Sequence, residues 1–145
     1  MLLSAEDLCS DHQALGDSAV TDGSSTNVID VGSQRSILDD RLRFIVKIDN
    51  PDTIAGGTSV AAAVQTSADN SNWTTVAETG TVALANIPKN GILLDAPVPT
   101  DTAGKRYWRV AYTTVGSFTS GKGPVVTAGF VRDGGPVTRK VIPVA

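Results

Sequence analysis

The chain has 145 residues, a length that fits one domain and permits a hydrophobic core without disulfide or metal staples. Its net charge of −3, with no clustered basic stretch, excludes the electrostatic signature of a nucleic-acid-binding protein. Hydrophobic residues make up 41% of the chain and aromatic residues only 5%, so the core must be mainly aliphatic.

The cysteine count and the start of the chain indicate a soluble protein made in a cytosol. Cys9 is the only cysteine, so no intramolecular disulfide can form and the fold needs no oxidising compartment. The first residues lack the basic start and the long apolar run of a signal peptide, and no stretch approaches membrane-spanning length. We therefore predict neither a membrane nor a nucleic-acid partner.

The first 26 residues leave two interpretations open. With Ser4 as N-cap, residues 4–8 fit a short helix whose first turn is acidic. A short edge strand fits the same scattered apolar residues equally well. Residues 21–25 follow with the small and polar composition of a loop.

Beyond this region, short stretches alternate in the period-two pattern of strands that bury one face. In the stretch 42–49, the residues predicted to face the core are Leu42, Phe44, Val46 and Ile48. In the stretches 58–66 and 125–131, the residues that share one face are Val60, Ala62, Val64, Val126, Ala128 and Phe130. Gly, Pro and Asn residues separate one stretch from the next. The predicted strands, in chain order, cover residues 27–31, 42–49, 58–66, 73–79, 81–84, 92–94, 106–115 and 125–131.

The stretch 106–115 is the strand around which we expect the core to form. One of its faces carries Trp108, Val110, Tyr112 and Thr114, which are mostly large and apolar. The other face mixes aromatic, charged and small residues, which suits a half-exposed or subunit-facing surface. This pattern predicts a position in the middle of a sheet.

The order of the elements predicts the fold class. Strands do not alternate with helices, which argues against a parallel βαβ fold. Many short strands with frequent turn signals predict an all-β fold in which two antiparallel sheets pack face to face. Residues 137–145 fit either an extended arm or an added edge strand.

Few residues are candidates for chemistry. Cys9 and His12 lie one helical turn apart, but no orienting group has a recognisable context, and the alternative is two unrelated surface or half-buried residues. The Asp-rich segments 49–52 and 69–72 offer calcium-type oxygen ligands without EF-hand spacing, and Asx-rich turns have the same composition. Trp73 is interpreted as a core residue at a strand start rather than an exposed sugar-stacking platform. We predict no catalytic residue, metal ion or cofactor.

Four stretches, taken in order along the chain, resemble one protein family. No single stretch is diagnostic, and the ordered set carries the resemblance, which spans roughly Leu2 to Asp133. The set resembles the jelly-roll capsid cement, or decoration, proteins of tailed bacteriophages. The stretches are residues 25–32, residues 64–69 followed by 73–74, residues 106–113, and residues 116–119 leading to 126–131.

This resemblance implies a non-enzymatic structural protein with the jelly-roll form of the sandwich. It would be made in the host cytoplasm and reside on the outer surface of the virion. There it would bind a shell of major capsid protein of the HK97-like fold and bridge neighbouring capsomers as a homo-oligomer, a dimer or a trimer at symmetry axes. Residues 1–135 would form the jelly-roll domain, with 1–26 as an alternative N-terminal arm, and residues 136–145 would form a C-terminal arm.

The extended ends supply the candidate interface residues. Apolar groups there would otherwise be exposed, and exposed apolar groups at chain ends often contact a partner. The alternative is that the ends pair as edge strands of their own subunit. The candidates are Leu2, Leu3, Leu8, Arg139, Lys140, Val141 and Ile142.

A carbohydrate-binding module is the second hypothesis, since such modules are also β-sandwiches. They display aromatic rings and often hold a structural calcium ion, so Trp73 and the loop 69–72 keep this hypothesis open. The low aromatic content and the missing secretion signal count against it. An enzyme on a β scaffold has no supporting residues.

Overall fold

A computed structural model of the protein describes residues 8–15, 22–30, 42–50, 53–98 and 106–132. Within these ranges the chain forms ten strands and one short 3₁₀ turn at Leu84–Asn86. The strands are β1 (Leu8–Ala14), β2 (Asp22–Ser24), β3 (Ile29–Asp30), β4 (Leu42–Ile48), β5 (Ser59–Ser67), β6 (Thr74–Glu78), β7 (Val82–Ala83), β8 (Ile92–Pro97), β9 (Tyr107–Val115) and β10 (Val125–Arg132).

The strands form two antiparallel sheets that pack against each other. Sheet A has the order β1-β10-β4-β8, and sheet B has the order β2-β9-β5-β6. The short strand β3 also pairs with β9, and β7 also pairs with β5. If β2 with β3 and β6 with β7 are each counted as one interrupted strand, the sandwich has eight strands.

The pairing of these eight strands is that of a jelly roll. The first pairs with the eighth, the second with the seventh, the third with the sixth and the fourth with the fifth. Nested pairs of this kind describe one long hairpin rolled into two sheets. The prediction of an all-β, antiparallel two-sheet sandwich of jelly-roll type is confirmed.

Strand β9 lies inside sheet B, between β5 and the β2–β3 pair, as the sequence predicted. Its residues Trp108, Val110, Tyr112 and Thr114 are all buried, whereas Thr113 and the other residues of the second face are half-buried or exposed. The alternation also holds on β5, which pairs with β9, and the described inward residues of β4 and β10 in sheet A are buried as well. The other predicted inward residues that the structure finds buried are Phe44, Val46, Ile48, Val60, Ala62, Val64, Val126, Ala128 and Phe130.

An aromatic cluster joins the two sheets. Trp108 of sheet B stacks on Phe44 of sheet A, with ring centroids 6.3 Å apart, and meets the edge of Phe130 at 5.2 Å. Phe44 and Phe130 themselves meet edge to face at 5.1 Å. Trp108 has no exposed surface, so its whole side chain is buried in the core between the two sheets.

Two predictions near the N-terminus need correction or completion. Residues 21–25 were predicted as a loop, but Asp22–Ser24 pairs with β9 as strand β2. An Asp-Gly-Ser stretch has low strand propensity, and pairing with β9 overrides it. Within the first 26 residues, the structure has an edge strand at Leu8–Ala14, β1, whereas residues 4–7 of the alternative helix lie outside the described residues. The register of β1 is broken twice and His12 takes a positive φ of 49°, which explains why no clean alternation was visible.

Hydrogen bonds also close the edge of the sandwich where β1 of sheet A meets sheet B. The backbone N–H of Asn27 donates to Cys9 O at 2.9 Å. Ser10 Oγ donates to Gln13 Oε1 at 2.7 Å, so the Tyr112 hydroxyl must donate to Ser10 Oγ, 2.8 Å away. Ser10 and Tyr112 are both buried, and these two hydrogen bonds give their hydroxyl groups partners.

Candidate interaction surfaces

The structure describes one of the seven predicted interface residues. Leu8 is half-buried at the start of β1, opposite Gly129 of β10, so it belongs to an edge strand of its own subunit. Its contact with a partner stays a prediction. The other six lie outside the described residues, as does the predicted C-terminal arm 136–145; they are Leu2, Leu3, Arg139, Lys140, Val141 and Ile142.

Cys9 and His12 do not form a nucleophilic pair. The Cys9 thiol has no exposed surface, and its Sγ lies 3.6 Å from Trp108 O. The His12 ring is 72% exposed, and its Nδ1 lies 2.8 Å from Asp11 Oδ1, which raises the pKa of the imidazole. One side chain points into the core and the other into solvent, so the two residues are unrelated, but Cys9 is fully buried rather than at the surface or half-buried as predicted.

Burial should make the Cys9 thiol unreactive in the folded protein. It raises the pKa of the thiol to about 12, so almost none is ionised at pH 8. We expect alkylation by iodoacetamide at pH 8 to be at least about a hundredfold slower in native buffer than in denaturing urea, since only the thiolate reacts. Mass spectrometry would follow the labelling. Equal rates in the two conditions would contradict the buried position.

In the segment 69–72, the Asp69 carboxylate accepts hydrogen bonds from nearby backbone and side-chain groups. Asp69 Oδ1 accepts from the backbone N–H groups of Ser71 and Asn72, at 2.9 and 2.8 Å, and from the Ser67 hydroxyl at 2.9 Å. Its Oδ2 accepts from the Asn72 side-chain amide at 2.8 Å. These donors hold the pKa of Asp69 well below its usual range. The segment is an Asx-type turn between β5 and β6, whose carboxylate is already fully hydrogen-bonded.

The other Asp-rich segment fastens β4 to β10. Asn50 Nδ2 donates to Gly123 O at 2.9 Å, and its Oδ1 accepts from Val125 N at 2.7 Å. The Asp49 carboxylate accepts a short hydrogen bond from the Thr127 hydroxyl. Among the described residues, no group of three or more His, Cys, Asp and Glu side chains is placed to hold a metal ion.

Trp73 is not a core residue, contrary to the prediction. It lies half-buried just before β6, and the guanidinium carbon of Arg109 sits 4.2 Å from its ring centroid. Arg109 faces away from the core because it alternates with Trp108 and Val110 along β9. The Arg109 Nε also donates to Gln65 Oε1 at 2.9 Å, on the neighbouring strand β5.

A second arginine and aromatic ring lie beside this pair. The Arg106 guanidinium carbon is 5.0 Å from the ring centroid of Tyr107, which shares the outer face of β9 with Arg109. Arg106 binds Asp30 through two hydrogen bonds, of 2.7 and 2.9 Å. We call Trp73, Arg106, Tyr107 and Arg109 the arginine–aromatic patch. It lies on the outer face of sheet B.

Comparison with known families places the chain in one of them. A family model named Bbp16 matches residues 9–127, from the second residue of β1 into β10. The chain belongs to the Bbp16 family. No curated protein sequence matches it. The match to Bbp16 covers the sandwich up to the first residues of β10, including the arginine–aromatic patch, whereas all seven predicted interface residues fall outside the matched segment.

In this Bbp16 member, the sequence predicted the surface position of Tyr107 and Arg109 but not that of Trp73. The mixed face of the strand 106–115 was predicted to be half-exposed or subunit-facing, which is where Tyr107 and Arg109 lie. The position of Trp73 beside Arg109 was missed because it depends on the pairing of β6 with β5 and of β5 with β9.

In the described parts of the chain, no helix has the length and hydropathy needed to cross a membrane.

Proposed function

We propose that the protein is a non-enzymatic cement, or decoration, protein of a tailed bacteriophage capsid. It binds the outer surface of the shell of major capsid protein with the HK97-like fold and bridges neighbouring capsomers as a homo-oligomer. The observation that carries the proposal is the nested jelly-roll pairing, the fold that the sequence resemblance implied. Because one fold hosts many functions, the proposal needs a direct binding test.

The architecture suits a protein that stabilises a shell by binding to it. A protein that binds only the assembled lattice shifts the equilibrium toward that lattice by mass action. Contacts repeated through an oligomer add avidity, and a pre-ordered binding surface loses little conformational freedom on docking. The Asp69 turn is hydrogen-bonded internally, and β1 is hydrogen-bonded to sheet B through Ser10 and Tyr112, so these parts of the surface are ordered before binding.

Co-sedimentation with capsids tests the proposal. The purified protein would be mixed with expanded capsids of the phage that encodes it, and separately with dissociated capsid protein. We expect it to sediment with expanded capsids and to remain in the supernatant with the dissociated subunits. Failure to sediment with expanded capsids, together with its absence from purified virions, would refute the proposal.

The carbohydrate-binding alternative retains one specific observation, the surface position of Trp73. Two features weigh against it. The Arg109 guanidinium covers one face of the Trp73 ring, and the Asp69 carboxylate is saturated by donors from its own turn. A glycan array combined with melting in calcium and in chelator separates the hypotheses. Sugar binding with a calcium-dependent rise in melting temperature would favour the module.

A further inference from the structure

The arginine–aromatic patch contains a cation that lacks an acidic partner among the described residues. Arg43 binds Asp95 and Arg106 binds Asp30, so both of these outer-face arginines are neutralised. In the described part of the chain, Arg109 contacts only the uncharged Gln65 and Trp73. Partial burial lowers its pKa, because the charge has lost water without gaining a carboxylate.

Arg109 is also held in a fixed orientation. Its Nε is bound by Gln65, whose own amide nitrogen lies 3.4 Å from Thr75 Oγ1, and its flat guanidinium rests on Trp73. A guanidinium has five N–H donors in a planar fork that matches both oxygens of a carboxylate. The donors on its two terminal nitrogens have no partner among the described residues, so a bidentate acceptor would find them pre-oriented.

The surroundings of Arg109 are those of a protein-binding surface. Trp, Tyr and Arg are the residue types that dominate binding energy at protein interfaces, and four such side chains lie together here. The next pair along the sheet is Ala63 opposite Ala111, so no long side chain from this pair blocks a flat partner. Half-buried aromatic rings around the cation would shield an ion pair from water, which strengthens it.

We propose that the arginine–aromatic patch is the surface that contacts the capsid shell, and that Arg109 binds an Asp or Glu carboxylate of the major capsid protein. This inference rests on the proposed cement function. It places the principal contact on the outer face of sheet B, rather than on the chain ends alone. A sugar ligand fits less well, because stacking requires an open ring face and Arg109 covers one face of Trp73.

Capsid co-sedimentation of matched arginine variants tests the inference. We expect Arg109→Gln to weaken binding roughly 30-fold or more, as removal of one partner from a desolvated charge pair does. Arg109→Lys should also weaken binding, since an ammonium cannot replace a bidentate, stacked guanidinium. Arg43→Gln on sheet A is the control and should bind within about twofold of wild type, because its ion pair with Asp95 is on the other sheet.

Further readouts separate this inference from the proposed function. Thermal melting of each variant verifies folding, and binding at several salt concentrations should show a weaker salt dependence for Arg109→Gln. If the wild type sediments with capsids and Arg109→Gln binds them with the same affinity or the same salt dependence, the patch is not the capsid contact. The proposed cement function would remain supported in that case. Failure of the wild type to sediment would overturn both. Glycan binding that is lost in Trp73→Ala would also overturn the patch as a protein contact.

Discussion

Trp108→Ala should be among the most destabilising single substitutions in this protein. The side chain is fully buried and contacts Phe44 and Phe130 across the two sheets. Truncation of a buried Trp or Phe to Ala costs about 3–5 kcal/mol. Domains have a free energy of unfolding of about 5–15 kcal/mol, so this loss would remove much of the stability. Urea unfolding followed by far-UV circular dichroism would measure it.

The other tryptophan provides the matched control. Trp73→Ala removes the same side chain from the surface, where the contact with Arg109 is worth about 0.5–1 kcal/mol. If Trp108→Ala does not fold, Trp108→Phe should still fold, with a smaller loss, because it retains one aromatic ring between the sheets. Equal destabilisation by the two Trp→Ala variants would contradict the arrangement of the core.

Gly56→Ala should also destabilise the fold strongly, for two additive reasons. Gly56 has a φ of 101°, a conformation that residues with a side chain rarely adopt, at a cost of about 1–3 kcal/mol. A Cβ there would also overlap the backbone nitrogen of Thr119, whose N–H donates to Ala55 O at 2.8 Å. Overpacking of this kind costs about 1–3 kcal/mol more. Denaturant unfolding would measure the total loss in the free energy of unfolding.

Two other glycines separate these contributions. Gly80 has a φ of 66° but open space where a Cβ would lie, so Gly80→Ala should report the backbone strain alone. Gly23 has open space without a positive φ, so Gly23→Ala should change stability by about 0.5 kcal/mol or less, as surface substitutions do. The expected order of destabilisation is Gly56, then Gly80, then Gly23. If Gly56→Ala is as stable as Gly80→Ala, the backbone at Thr119 moves away from the added Cβ without a loss of stability.

Gly56 matters because its segment closes one end of the sandwich. The ring of Phe118, in the connection between β9 and β10, packs directly on Gly57, where any Cβ would overlap it. Thr58 N donates to Val115 O at 2.8 Å just beyond this contact. The two glycines therefore allow the chain before β5 to approach the loop that follows β9.

The amino-acid sequence by itself determined the strand faces of this protein. Alternation is a local property, since successive side chains of a strand point to opposite sides wherever that strand lies. The inward residues of β5 and β9, and those of β4 and β10 whose side chains the structure describes, were therefore predicted correctly, and with them the all-β class. The lack of strand–helix alternation argued against a parallel βαβ fold, and the frequent Gly, Pro and Asn breaks predicted many short strands.

Only the tertiary structure decided which strands are neighbours and what lies opposite each outer face. Asp22–Ser24 becomes a strand because β9 pairs with it, and the two tryptophans separate into core and surface although both lie at strand starts. The contact of Trp73 with Arg109 joins residues on strands that are not adjacent in the sheet. Such pairings depend on contacts between distant parts of the chain, and the local pattern of one strand does not identify which strand lies beside it.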